Sequence, residues 1–166
     1  MLTQERLKEL FHYDPETGIF TRLIGVGPCN KGVIFGCIET RERRRYLRGR
    51  IGGKIYYLHR LAFLYQTGRL VKSIDHINHN GLDNRWCNLR EANHVINGRN
   101  ARLFCTNTSG VTGVRWHSQC GKWAVYIRAG TSKYLGVYEN FDEACKVRKE
   151  AERALGFHPN HGRAEA

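Results

Sequence analysis

The chain is 166 residues long, 41% hydrophobic and 25% charged, enough for one ordinary core or two small ones and too little for a large multidomain enzyme. Lys and Arg number 27 against 15 Asp and Glu, a formal net charge of +12, which favours nucleic acid as partner ahead of an anionic membrane surface. No run approaches the roughly eighteen apolar residues of a spanning helix. Met1-Leu2-Thr3-Gln4-Glu5-Arg6 also lacks the apolar stretch of a signal peptide, so a soluble intracellular protein is expected.

The cysteines, Cys29, Cys37, Cys87, Cys105, Cys120 and Cys145, form no Cys-x-x-Cys pair and read as reduced thiols. Residues 1–40 are not a basic arm, with four bases against five acids. Their pattern predicts a short amphipathic helix with Leu2, Leu7, Leu10 and Phe11 on one side, stopped by Tyr13-Asp14-Pro15-Glu16-Thr17-Gly18. Residues 41–54 then hold Arg41, Arg43, Arg44, Arg45, Arg48, Arg50 and Lys54 against Glu42 alone, which is +6 of the +12. Tyr46–Ile51 and Lys54–Leu58 flank Gly52-Gly53 and predict a basic β-hairpin. Arg43, Arg44, Arg45, Arg48 and Arg50 would lie there along a phosphate backbone; a solvated edge hairpin is the bland alternative. His59–Gly68 reads as a helix capped by glycine.

The stretch Ser73-Ile74-Asp75-His76-Ile77-Asn78-His79-Asn80-Gly81-Leu82-Asp83-Asn84-Arg85-Trp86-Cys87-Asn88-Leu89-Arg90 packs acid, imidazole and amide groups around one turn. Beyond it, Leu89, Ala92, Val95 and Ile96 suit one helical face, and Asn97 falls on the same helix. Asp-His, Asn-Leu-Arg and a helical Asn at this spacing resemble the HNH endonucleases, in particular phage and intron-encoded homing enzymes with a ββα-metal site. The resemblance implies His76 as general base, Asp75 and Asn97 as holders of a divalent metal, and Asn88 as the brace of the loop.

Chemistry agrees with that implication, since phosphodiester hydrolysis needs a base for water and a cation to offset charge on the phosphate and leaving oxygen. One carboxylate and one amide oxygen form a hard, sparse set that suits Mg²⁺ or Mn²⁺ better than Zn²⁺. His76, His79 and Cys87 fit no common zinc spacing, and the final Glu of an EF-hand is missing. The bland reading is an Asn/Asp/Gly-rich surface turn that hydrogen-bonds its own backbone, which accounts for Asn80-Gly81 and Asp83-Asn84. Arg85, Arg90, Arg99 and Arg102 are assigned to backbone phosphates, because a guanidinium stays charged and cannot act as a base.

Residues 108–158 hold three strand patterns, Gly113–Trp116, Gly121–Arg128 and Tyr134–Tyr138, and a helix from about Phe141 to Leu155. This segment resembles the AP2 DNA-binding domain. Alternation turns Trp123, Val125 and Ile127 toward Phe141, Ala144, Val147 and Ala151, with Trp116 assigned to the core as well. The resemblance implies that Arg115, His117, Tyr126, Arg128 and Tyr134 face DNA.

The expected architecture is α+β: an N-terminal region with the basic hairpin (1–58), a ββα-metal HNH nuclease module (59–104), an AP2-like three-stranded sheet plus helix (108–158), and a tail (159–166). The expected function is Mg²⁺- or Mn²⁺-dependent cleavage of double-stranded DNA, with no membrane and no obligate protein partner. The alternatives are a non-catalytic AP2-type DNA-binding regulator and an RNA-directed or structure-specific nuclease. The resemblance points to the cytoplasm of a phage-infected bacterial cell.

Overall fold

In the computed structural model, which describes residues 2–25, 30–41 and 44–163, the chain divides into two units, Met1–Ala92 and Asn93–Ala166. Arg43 and Cys29 lie outside the described residues. The whole is mixed α+β, with small sheets and four α-helices among the described residues, none long and apolar enough to cross a membrane.

In the first unit, Thr3 caps helix α1 (Gln4–Leu10) by accepting from the Arg6 backbone N–H at 3.2 Å. The helix stops before Phe11, which corrects the expectation that Phe11 shares its apolar face. Phe11-His12-Tyr13 alternates buried, exposed, buried and forms strand β1 (Phe11–Tyr13), paired antiparallel with β2 (Phe20–Arg22). The Asp14–Gly18 turn therefore closes a hairpin. Asp14 accepts from the Glu16 N–H at 2.9 Å and the Thr17 hydroxyl at 2.7 Å, and Gly18 takes a φ of +75°.

Strands β3 (Cys37–Arg41), β4 (Arg44–Ile51) and β5 (Lys54–Tyr57) form an antiparallel sheet in that order, with Gly52 and Gly53 both at positive φ in the β4–β5 turn. β3 had no clear sequence signal, yet it carries the acid that stitches the sheet. Glu39 pairs with Arg48 of β4 at 2.8 Å and accepts from the Tyr57 hydroxyl of β5 at 2.7 Å. Helix α2 (Leu58–Thr67) follows at once and ends at Gly68, φ +72°, whose N–H donates to the Leu64 carbonyl. Strands β6 (Ile74–His76) and β7 (Leu89–Glu91) pair antiparallel, separated by a long loop that ends in a 3₁₀ turn at Trp86–Asn88. Leu89, expected on a helix, is instead the first residue of β7. One core, including Leu7, Phe11, Phe20, Phe35, Leu61, Phe63 and Leu89, unites these elements.

The second unit opens with α3 (His94–Arg99), capped by the Asn93 side chain, which accepts from the Val95 and Ile96 N–H groups. Strands β8 (Val114–His117), β9 (Lys122–Ala129) and β10 (Thr131–Tyr138) form a second antiparallel sheet with β9 in the middle. Helix α4 (Phe141–Ala154) is capped by Asn140, and its Ala144 joins Val114 and Val125 in the core. Trp123 packs on Phe141, ring centroids 4.6 Å apart. Trp116 is 52% exposed, not core. Trp123 already fills the place against Phe141, and Trp116 is left edge-on against Trp123 at 5.1 Å. Arg148, which has no place in the apolar pattern of α4, is only 2% exposed: Nη1 donates to the Tyr126 carbonyl at 2.9 Å and Nε lies 2.9 Å from Glu152.

Two stability measurements follow, both by urea unfolding. A Cβ at Gly18 would come within 2.5 Å of the Asn84 and Arg85 backbone, at a positive φ, so Gly18→Ala should cost about 2 kcal/mol or more, read at Trp86. Arg148→Met removes the buried guanidinium from half-buried Glu152 and from the Tyr126 carbonyl and should cost about 2 kcal/mol, read by the Trp116 and Trp123 fluorescence.

Candidate active site

Successive residues of a strand point to opposite faces, so β6 turns Asp75 and His76 apart. Asp75 is the register partner of Arg90 on β7, and its Oδ2 accepts from Arg90 Nη2 at 2.7 Å and Nε at 3.0 Å. This ion pair is half-buried and fixes the carboxylate on the sheet. His76 is 7% exposed, with Nε2 3.1 Å from Asn84 Oδ1. Burial, before any other cause, lowers the His76 pKa below the ordinary imidazole value; the Asn84 hydrogen bond and the charges of Asp75 and Asp83 oppose the shift. The ring is therefore neutral at pH 7, the state a proton acceptor needs.

The loop between the strands is built from side-chain amides. Asn88 Oδ1 accepts from the Asn78 N–H at 2.9 Å while its Nδ2 donates to the Asp83 carbonyl at 2.8 Å, so one buried residue ties both limbs together. Asn78 and Asn80 each accept from the N–H two residues on. Asp83 is gripped by Arg85 through Nη2 and Nε, and that hydrogen bonding chiefly holds its carboxyl below the usual range.

Three contacts fix this loop from outside. The Tyr13 hydroxyl donates to the Asn84 carbonyl at 2.8 Å, and the Trp86 N–H donates to the Pro15 carbonyl at 2.9 Å. On the other side Gly81 lies so close to the Arg45 carbonyl and the Tyr46 ring that a Cβ there would collide with both. The β3–β4–β5 sheet also reaches the imidazole itself. Tyr46 packs on His76 and His59, Tyr57 stacks on His59 at 5.5 Å, and His59 meets His76 edge to face at 5.1 Å.

The first unit thus gathers Asp75, His76, Asn88, Arg85 and Arg90, with both arginines already engaged by carboxylates. Arg44, Arg45 and Arg50 are exposed on β4, whereas Arg48 is held by Glu39. Asn97 lies half-buried in α3 of the second unit, followed by Arg99 at the helix end and Arg102 beyond it. On the second sheet the Arg115 guanidinium lies 4.4 Å from the Tyr126 ring centroid, and Tyr126 packs on Tyr134 at 5.2 Å. Arg128 is exposed opposite Ser132, and His117 Nδ1 lies 3.3 Å from Cys120 Sγ. Among the described residues no three His, Cys, Asp or Glu side chains gather into a metal-binding group. Sequence reasoning passed over His59, taken only as a helix start, and Asn84, taken as a turn residue.

Residues 56–99 match the family model of the HNH endonucleases, from the end of β5 through α3. The match supports an HNH nuclease domain: a phosphodiester hydrolase of a class that binds DNA and is generally dependent on a divalent metal. No curated protein and no solved structure matches the chain.

The pH response of the first unit tests the environment around His76. Burial, then the neighbouring His76 and Arg60 charges, push the His59 pKa from 6.5 down to about 3. Above 6.5 both folded and unfolded chains carry this ring neutral; below it the unfolded chain takes a proton that the folded one refuses, so stability falls with pH. From pH 7 to 5 this one ring accounts for a loss of about 2 kcal/mol. His59→Phe should remove that part of the slope in urea titrations read at Trp86, and equal slopes for the two proteins would contradict the assignment.

Proposed function

We propose that the chain is a metal-dependent DNA endonuclease of the HNH homing type, in which His76 is the general base, Asp75 and Asn97 hold a divalent cation, and Asn88 braces the loop. The observation that carries this reading is the coincidence of the HNH match at 56–99 with a buried imidazole that directly follows, on the opposite face of β6, a carboxylate fixed by Arg90. His76 takes a proton from water, the resulting hydroxide attacks phosphorus, and the 3′ or 5′ oxygen leaves and is protonated from solvent. Arg90 holds Asp75, the proposed cation ligand, in one orientation.

The donor chemistry fits a hard cation: a carboxylate and an amide oxygen, with no thiolate or second imidazole in the set. Bound there, Mg²⁺ or Mn²⁺ would offset charge on the phosphate and leaving oxygen. Arg44, Arg45 and Arg50, with Arg43, are proposed to follow the DNA backbone, and Arg99 and Arg102 to add positive charge around the cut site, while Arg85 and Arg90, assigned to phosphates from the sequence, hold Asp83 and Asp75. The three-stranded sheet and α4 of the second unit are proposed as an AP2-like DNA reader. The cation–aromatic row Arg115, Tyr126, Tyr134 supports this, with His117 and Arg128 on the same strands.

The test is conversion of supercoiled plasmid carrying candidate phage DNA, with Mg²⁺, Mn²⁺ or EDTA. Open-circle product should appear only with metal, and His76→Ala should lower the rate by about 10²-fold or more. No conversion under any condition, with a salt-sensitive gel shift kept by both proteins, would favour a DNA-binding regulator instead.

A further inference from the structure

We propose that Asn84 is a positioning residue for His76, its amide oxygen holding the imidazole as the Nε2–H tautomer so that Nδ1 carries the basic lone pair. This rests on the reading of His76 as the base and goes beyond it by naming what selects the reactive nitrogen. Asn84 is 1% exposed, and its Oδ1 lies 3.1 Å from His76 Nε2. A carbonyl oxygen only accepts, so the bond exists when Nε2 carries the proton.

Asn84 is not explained by packing. Its Nδ2 is buried with no partner among the described residues, an arrangement that costs stability. A leucine would fill a similar volume without that cost. The side chain that gains from the amide is His76.

The amide is fixed in space by the N-terminal hairpin. Tyr13 donates to the Asn84 backbone carbonyl at 2.8 Å, and the turn at Gly18 presses so close that a Cβ would sit 2.5 Å from the Asn84 carbonyl carbon. Residues 11–20 thereby act on His76 through Asn84. Were the amide turned over, its NH₂ would face Nε2, the ring proton would move to Nδ1, and Oδ1 would become the orphan. The two arrangements are distinguishable at the ring nitrogens.

The experiment uses the full chain labelled with ¹⁵N-histidine, long-range ¹H–¹⁵N correlation at pH 7.5, and a His76→Gln spectrum for assignment. The wild type should show His76 with Nε2 protonated. Asn84→Leu should lose that preference and nick plasmid at least tenfold more slowly in kcat, with unchanged DNA affinity and a urea midpoint equal to or above wild type. Asn84→Asp, which keeps an acceptor, should retain the Nε2–H form. A wild-type Nδ1–H tautomer, or an Asn84→Leu protein with the tautomer and rate intact, would overturn the proposal. Should Asn84→Leu fail to fold, the wild-type and Asn84→Asp tautomers decide the matter alone. Absence of nicking by a wild type that holds the Nε2–H form, with the form lost in Asn84→Leu, would refute His76 as the base while upholding the contact.

Discussion

The β6–β7 ladder is only three residue pairs long, Ile74↔Glu91 to His76↔Leu89, and a two-stranded ribbon of that length is marginal in water. Everything that gives the loop a single shape must therefore come from elsewhere. Inside the loop the agents are amides, above all Asn88, whose oxygen and nitrogen serve opposite limbs. Outside it they are Tyr13 and Pro15 on one side and Tyr46 on the other. Three pieces of the first unit that share its core, the N-terminal hairpin, the β3–β4–β5 sheet and the β6–β7 ribbon, meet at this loop and together hold it in one shape.

The electrostatics follow the same economy. On the proposed reading, positive charge draws the DNA while the base beside it stays neutral. Burial among Tyr46, His59 and Asn84 keeps His76 uncharged. The two nearby carboxylates would pull a proton toward the ring, but Asp75 is paired with Arg90 and Asp83 with Arg85. Each pair is close to neutral, so its effect on the imidazole is weaker than that of a bare carboxylate.

What could be read from the sequence was local. The Gly68 stop of α2, the Gly52-Gly53 corner, the strands and helix of residues 114–154 and the clustering of Asp75, His76 and Asn88 all depend on neighbours within about one element. What could not be read depends on partners far away. Phe11–Tyr13 becomes a strand because Phe20–Arg22 pairs with it, not because its residues refuse a helix. Tyr13 meets Asn84 across 71 positions of chain, and Arg148 meets the Tyr126 carbonyl across 22. Asn84 in particular has the composition of a turn residue; only the fold turns its amide onto an imidazole.

Arginine shows most plainly why composition alone overstates a binding surface. Arg48, Arg85, Arg90 and Arg148 lie on Glu39, Asp83, Asp75 and Glu152, where they order the protein's own carboxylates. Each such pair removes one cation and one anion together, so the net charge of +12 is unchanged while the number of cations able to move onto a phosphate shrinks. Arg44, Arg45, Arg50 and Arg128 are exposed on their strands and are in none of these pairs. Salt dependence of DNA binding is set by phosphates neutralised rather than by arginines present, so on the proposed reading it reflects exposed cations and not those held in these pairs.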